Sequence, residues 1–316
     1  MKKTAFLFPG QGSQVVGMGQ DFYQEFGFVR ELFDMAEEIS RIDLRQLCFK
    51  GPLEDLTRTV TLQPAITVVN LAILAAVQRE SVAPAMSAGH SLGEYSALCA
   101  AGVVSAKDAL RLVHKRGELM HREAEKYKGA MAALIGLGID AVAQIVEIGR
   151  GQGVVSVANH NTAQQIVVTG EPAAVAAVSA LAAEKGAKAI PLKVSGAWHS
   201  ELIRGAEADF TSFLQSVVFD APRSEVVFNV TAATESRPDE IRSLMARQLC
   251  SPVKWFDATR RFCEAEIETF VEIGPGKVLT GLLRKNLPKD YPATIFNVND
   301  LKTFEAFIKN SNMATG

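Results

Sequence analysis

The pentapeptide Gly89-His90-Ser91-Leu92-Gly93 constrains this chain more than any other feature. It fits G-x-S-x-G, and its flanks fit one architecture. Ala85-Met86-Ser87-Ala88 before it reads as a short strand, and the residues after it read as a helix that Gly102 stops. A strand that turns sharply into a helix needs glycine two places before and two places after the bend, because a Cβ there collides with the crossing backbone. The serine hydroxyl then stands above the end of a sheet at a helix N-terminus. The backbone N–H of Leu92 points to the place where an oxyanion would form. Such a turn belongs to a mostly parallel α/β sheet.

The remaining pattern agrees. Residues 4–8 (TAFLF) read as a buried strand, followed at once by the turn PGQGSQ. Helical spacing runs over 21–39, over the strongly apolar 63–79 with Pro64 near its start, and over the amphipathic 106–123. The middle of the chain changes character. A strand at 131–137, a helix at 139–149, strands at 154–158 and 165–170 flanking the polar turn NHNTAQ, a helix at 171–185 and a strand at 187–194 follow in order. That is β-α-β-β-α-β, the ferredoxin-like pattern. A helix at 200–216, a strand at 225–230, a helix at 238–249, a last strand at 270–274 and a helix opened by PGKVLTGLLRK resume the first architecture. The expected fold class is therefore α/β. Residues 1–126 and 197–316 form a hydrolase-like, mostly parallel sheet domain, and residues 127–196 form an inserted ferredoxin-like small domain. The last residues, 310–316, are expected to fray.

Composition removes several function classes. The chain has 316 residues, 48% of them hydrophobic, enough for a large core. A net charge of -2 gives no basic footprint for nucleic acid. Four cysteines, at 48, 99, 250 and 263, have neither C-x-x-C spacing nor a zinc pattern, which points to reduced thiols, no metal and a cytoplasmic setting. The apolar run behind the two leading lysines is too short for a signal-peptide core, and no apolar stretch reads as a membrane span.

The turn at Gly10-Gln11-Gly12 is not a dinucleotide loop, because Val15 stands where G-x-G-x-x-G needs its third glycine. In hydrolase-like sheets a loop after an early strand supplies the second oxyanion donor, which suits the backbone N–H of Gln11. A purely structural turn fits as well. A base for Ser91 must come from five histidines. His90 adjoins the serine, but its side chain points away. His114 and His121 lie on the amphipathic helix. The residues alone leave His160, in the polar turn, and His199 both open.

Six blocks, FPGQGSQ (8–14), GHSLGEYSAL (89–98), RLVHKRGELM (111–120), GAMAALIGL (129–137), RQLCSPVKW (247–255) and EIGPGKVLTGL (272–282), resemble the signature blocks of malonyl-CoA:acyl-carrier-protein transacylases. They occur in the family's order and extend to about residue 286. The resemblance implies transfer of a malonyl group from malonyl-CoA to the phosphopantetheine thiol of acyl carrier protein, as in fatty acid synthesis. Ser91 would be the nucleophile and His199 the base, with Gln11 and Leu92 as the oxyanion hole. Arg116 would bind the substrate carboxylate, and the backbone carbonyl of Gln248 would orient the histidine. Ala197-Trp198 stands before His199 where many members carry Pro-Phe. Coenzyme A and phosphopantetheine are carriers of the acyl group, so no cofactor is implied, and nothing demands more than a monomer. The competing readings are an acyltransferase serving a polyketide synthase, a serine esterase with an acid–histidine pair, and a non-catalytic carrier-binding module.

Overall fold

The computed structural model describes residues 3–313. Its strands, in chain order, are β1 (Thr4–Phe8), β2 (Met86–Gly89), β3 (Ala130–Ile135), β4 (Val155–Thr162), β5 (Gln165–Gly170), β6 (Lys188–Pro191), β7 (Glu225–Val226), β8 (Thr269–Ile273) and β9 (Thr294–Val298). Five of them form a wholly parallel sheet in the order β7-β2-β1-β8-β9. Side chains alternate across a strand, so Phe6 and Phe8 of β1 enter one core while Ala5 and Leu7 enter the other. Both faces are covered, as a parallel sheet requires.

The other four strands form an antiparallel sheet in the order β4-β5-β3-β6. Ala132, Leu134, Ile166 and Val168 on one face pack against the Ile139–Gly149 and Pro172–Glu184 helices. Met131, Ala133 and Val167 on the other face join the main core of the large domain. The small sheet is thus seated on the large domain by its own alternation. A parallel sheet with an antiparallel insert is the fold class the sequence implies.

Several elements differ from the sequence expectation. The helix expected over 21–39 is two, Gln20–Glu25 and Gly27–Ser40, broken where Phe26 is extended. The apolar helix is Thr59–Arg79, so Pro64 lies inside it rather than at its start. At that length it is long and apolar enough to cross a membrane, contrary to expectation, yet 89% of its most apolar window is buried in the structure, as a core helix. The polar turn expected at 159–164 is mostly strand. β4 runs on through Asn159, His160 and Asn161 to Thr162, with irregular register on both sides of that stretch. The cause is a second partner: His160 N–H donates to Val253 C=O at 2.9 Å and Val253 N–H to Ala158 C=O at 2.8 Å, which ties the insert to the large domain. The strand at 225–230 shrinks to Glu225–Val226, and the helix at 200–216 begins only at Gly205. Strand β9 and the helix Leu301–Met313 were not anticipated. That helix takes in much of the stretch expected to fray, and residues 314–316 lie outside the described residues.

The stop at Gly102 is as expected. Val103 N–H donates to Leu98 C=O and Gly102 N–H to Cys99 C=O, with Gly102 at φ 74. The helix Val278–Asn286 starts differently, because Lys277 gives it no side-chain cap. Instead the buried carboxylate of Glu272, on β8, accepts from Leu279 N–H at 2.9 Å and Thr280 N–H at 2.7 Å. Glu272→Ala should therefore lower the unfolding free energy by about 1–3 kcal/mol. The measurement is the urea midpoint at constant slope; an unchanged midpoint would deny Glu272 this role.

Candidate active site

β1 and β2 lie side by side with Phe8 opposite Gly89, so both glycine-rich turns leave the same end of the sheet together. A Cβ on Gly89 would fall 1.8 Å from the carbonyl carbon of Gly93, and one on Gly93 would fall 2.0 Å from Phe8 O. Only glycine fits at either place. Between them Ser91 sits at φ 51, in the left-handed region. For a non-glycine residue that conformation costs about 1–3 kcal/mol and persists only where neighbours hold it. Here they do. Ser91 N–H donates to Asn229 Oδ1 at 2.7 Å, and Asn229 Nδ2 donates to Gly89 C=O at 2.7 Å. Ser91 C=O accepts from Gln248 Nε2 at 2.9 Å and from Glu94 N–H at 3.1 Å.

The chain re-enters the large domain at His199, which is buried and lies at φ 61. Its Nε2 is 2.7 Å from Ser91 Oγ, and its Nδ1 is 3.0 Å from the backbone carbonyl of Gln248. A carbonyl can only accept, so Nδ1 carries the proton and Nε2 is left to accept from the serine hydroxyl. Burial, reinforced by the Arg116 charge, pushes the imidazole down to about 3. The ring is neutral at physiological pH and can take a proton from Ser91. A carbonyl occupies the place where an esterase triad would put a carboxylate.

Arg116 comes from the Ala106–Lys126 helix and is 2% exposed. Its Nη2 donates to Ser91 Oγ at 3.1 Å and to Gln248 Oε1 at 3.2 Å, and its Nη1 donates to Gln63 Oε1 at 3.1 Å. Its Nε has no partner, and no carboxylate lies within ion-pair distance of it among the described residues. Burial lowers its proton affinity. A guanidinium in this state is a ready receptor for a carboxylate. Gln11 follows Gly10, whose Cβ position is 3.4 Å from Leu92 N. The turn that carries Gln11 therefore passes close to Leu92, and neither N–H has a hydrogen-bond partner among the described residues. A cleft of about 350 Å³ opens from Gln11 between the two sheets, walled by His90, Asn159, Asn161, Gln165 and Leu279.

A family model described as the acyl transferase domain matches residues 5–309. The malonyl CoA-acyl carrier protein transacylase of Bacillus subtilis (strain 168) is 42% identical over 287 residues, 90% of each chain. The chain belongs to the malonyl CoA-acyl carrier protein transacylase family. Among solved structures, the acyl carrier protein S-malonyltransferase of Vibrio cholerae O1 biovar eltor matches with a TM-score of 0.91 and 39% identity, covering 96% of this chain and 99% of that one. A malonyl-transacylase in complex with its type II polyketide synthase acyl-carrier protein matches with a TM-score of 0.93 and 36% identity, covering 98% and 99%.

Within this family fold, Ser91, His199, Arg116 and Gln248 converge on one point, with Gln11 and Leu92 beside it. The other histidines do not. His90 Nε2 pairs with Asn161 Oδ1 at 2.8 Å, and its ring lies 5.5 Å from that of Trp255. His114 faces Glu118 and His121 faces Glu125 on their helix surface. His160, left open by the residues alone, is removed: it lies in β4 with its ring 5.0 Å from Phe256. Three supporting residues escaped the sequence reading, namely Gln63, Glu94 and Asn229. Only Glu94 carried a signal, as an acid within the GHSLGEYSAL block.

The depressed His199 has a stability consequence. Its folded value of about 3 lies below the ordinary 6.5, so the unfolded chain binds the proton first. The contribution is complete above pH 6.5 and is lost as pH falls toward 3. Between pH 7 and pH 4.5 the loss is roughly 2–3 kcal/mol. His199→Gln should remove that share of the acid sensitivity, read as a smaller shift of the urea midpoint over the same interval. An identical shift in both proteins would place the imidazole near its ordinary value.

Proposed function

We propose that this chain transfers a malonyl group from malonyl-CoA to the phosphopantetheine thiol of acyl carrier protein through a malonyl-Ser91 intermediate, supplying fatty acid synthesis in the cytoplasm. The observation that carries the reading is the unpaired, buried Arg116, whose Nη2 lies 3.1 Å from Ser91 Oγ. A guanidinium beside an activatable hydroxyl selects an acyl group that ends in a carboxylate. Four unpaired cysteines support the reducing setting.

The malonyl carboxylate pairs with Arg116, which places the thioester carbonyl against Ser91 Oγ. His199 Nε2 takes the hydroxyl proton as Oγ attacks. The N–H groups of Gln11 and Leu92 hold the oxyanion, each worth about 3–4 kcal/mol of barrier by analogy with similar sites. The tetrahedral intermediate collapses, the C–S bond breaks, and the proton on His199 passes to the departing coenzyme A sulfur. The carrier thiol then enters the same cleft and gives its proton to His199. Its sulfur attacks the ester, and Ser91 leaves with the proton restored. No metal or redox group enters these steps, and coenzyme A and phosphopantetheine serve only as handles. A carbonyl behind His199, in place of a carboxylate, weighs against the esterase reading. The polyketide carrier of one structural relative makes carrier preference a matter for assay.

Incubation with malonyl-CoA should add one malonyl mass to the intact protein, and Ser91→Ala should take none. A label that survives Ser91→Ala would move the nucleophile elsewhere. Arg116→Ala should cost malonyl transfer about 2–5 kcal/mol, roughly 30-fold or more, with a much smaller loss for acetyl. Equal losses for the two acyl groups would remove Arg116 from substrate selection.

A further inference from the structure

One buried ionisable group has no part in the steps above. Glu94 stands in the first turn of the Gly93–Ala100 helix, three residues after Ser91, and is 1% exposed. Each of its carboxylate oxygens accepts from a different segment. Oε1 accepts from Asn229 N–H at 2.6 Å, and Oε2 accepts from Gln248 Nε2 in a very short hydrogen bond. Those two partners are the residues that arrange the site. The side chain of Asn229 holds both Ser91 N–H and Gly89 C=O. The backbone carbonyl of Gln248 orients His199, while its side chain holds Ser91 C=O and Arg116.

We propose that Glu94 is a positioning residue that locks the turn of Ser91 to the carbonyl that orients His199, and that acyl transfer requires it as the carboxylate. Both neighbours of Glu94 are donors, so both of its oxygens must be acceptors. A protonated carboxyl would carry an O–H for which these two donors offer no acceptor, and its hydroxyl oxygen would accept more weakly, so one of the two ties would loosen. The released partner would be either Asn229, which fixes the strained φ of Ser91, or Gln248, which sets the tautomer of His199. Displacements on this scale cost a reacting pair far more than they cost the fold.

The charged and titratable groups around Glu94 come from three directions. Arg116 stands on the Ala106–Lys126 helix, Tyr95 is the next residue on its own helix, and His199 lies beyond Gln248. Burial pushes Glu94 up to about 7, against the pull of its hydrogen bonds and of Arg116. Tyr95 is pushed upward by burial and stays neutral. His199 titrates far lower, so it contributes no step near neutrality. The acid limb of the reaction would then belong to Glu94 and not to the histidine.

The inference rests on the malonyl transfer proposed above, and the test separates the two. Single-turnover malonylation of Ser91 by malonyl-CoA is followed by intact mass from about pH 5.5 to about 8.5. In the unaltered chain the rate should rise with pH through one step near 7. Glu94→Gln presents a permanent N–H in place of one acceptor and so imitates the acid. It should run about 10–100-fold below the upper plateau, with no step and with KM for malonyl-CoA within about twofold. Glu94→Asp keeps an ionisable group and should keep a step, at a lower plateau. A step that survives in Glu94→Gln would overturn the proposal. If Glu94→Gln does not fold, a profile without a step in the unaltered chain would overturn it equally. An unaltered chain that takes no malonyl group at any pH would overturn the transfer reading itself.

Discussion

The rest of the site depends on a buried guanidinium, Arg116, that makes no direct ion pair among the described residues. Arg116 is kept in place by neutral acceptors only: Gln63, Gln248 and the hydroxyl of Ser91. Neutral acceptors take several of its donors, though not Nε, without cancelling the charge. The same charge helps hold His199 neutral, which is the state a base needs. Burial does most of this, and Arg116 adds to it.

The fold supplies what that arrangement needs. A parallel sheet places the ends of β1 and β2 together, and with them the two turns that present Gln11, Ser91 and Leu92. The antiparallel insert closes the cleft from the other side. It is held there by the apolar face of its sheet and by the backbone bonds between β4 and Val253. The polar run Asn159-His160-Asn161 sits in a strand because that strand serves two domains at once. Behind the turn of Ser91, Glu94 and Asn229 carry the strain that a left-handed serine imposes.

Local chemistry was legible in the sequence and long-range chemistry was not. Ser91 could be read because its constraint lies within five residues and needs glycine at fixed places. The β-α-β-β-α-β order could be read because strand and helix periods alternate over the insert. His199 and Gln248 lie 108 and 157 residues from Ser91 along the chain, and no periodicity announces such a meeting. Only the family resemblance singled them out. The turn expected around His160 failed because three polar residues in a row read as a loop, although their partner in Val253 was almost a hundred residues away. β9 escaped notice as a half-buried edge strand with little apolar alternation. Asn229 and Gln63 looked like ordinary polar residues in apolar runs, since only burial reveals what they hold.

A covalent acyl-serine that prefers a thiol to water is what separates a transferase from a hydrolase at this site. The most direct measurement isolates the malonylated chain, adds phosphopantetheine-bearing acyl carrier protein in buffer, and follows the partition of the malonyl group. Transfer to the carrier thiol with little free malonate is the predicted result. Release of malonate at the same rate with and without the carrier would make this chain a hydrolase and contradict the account.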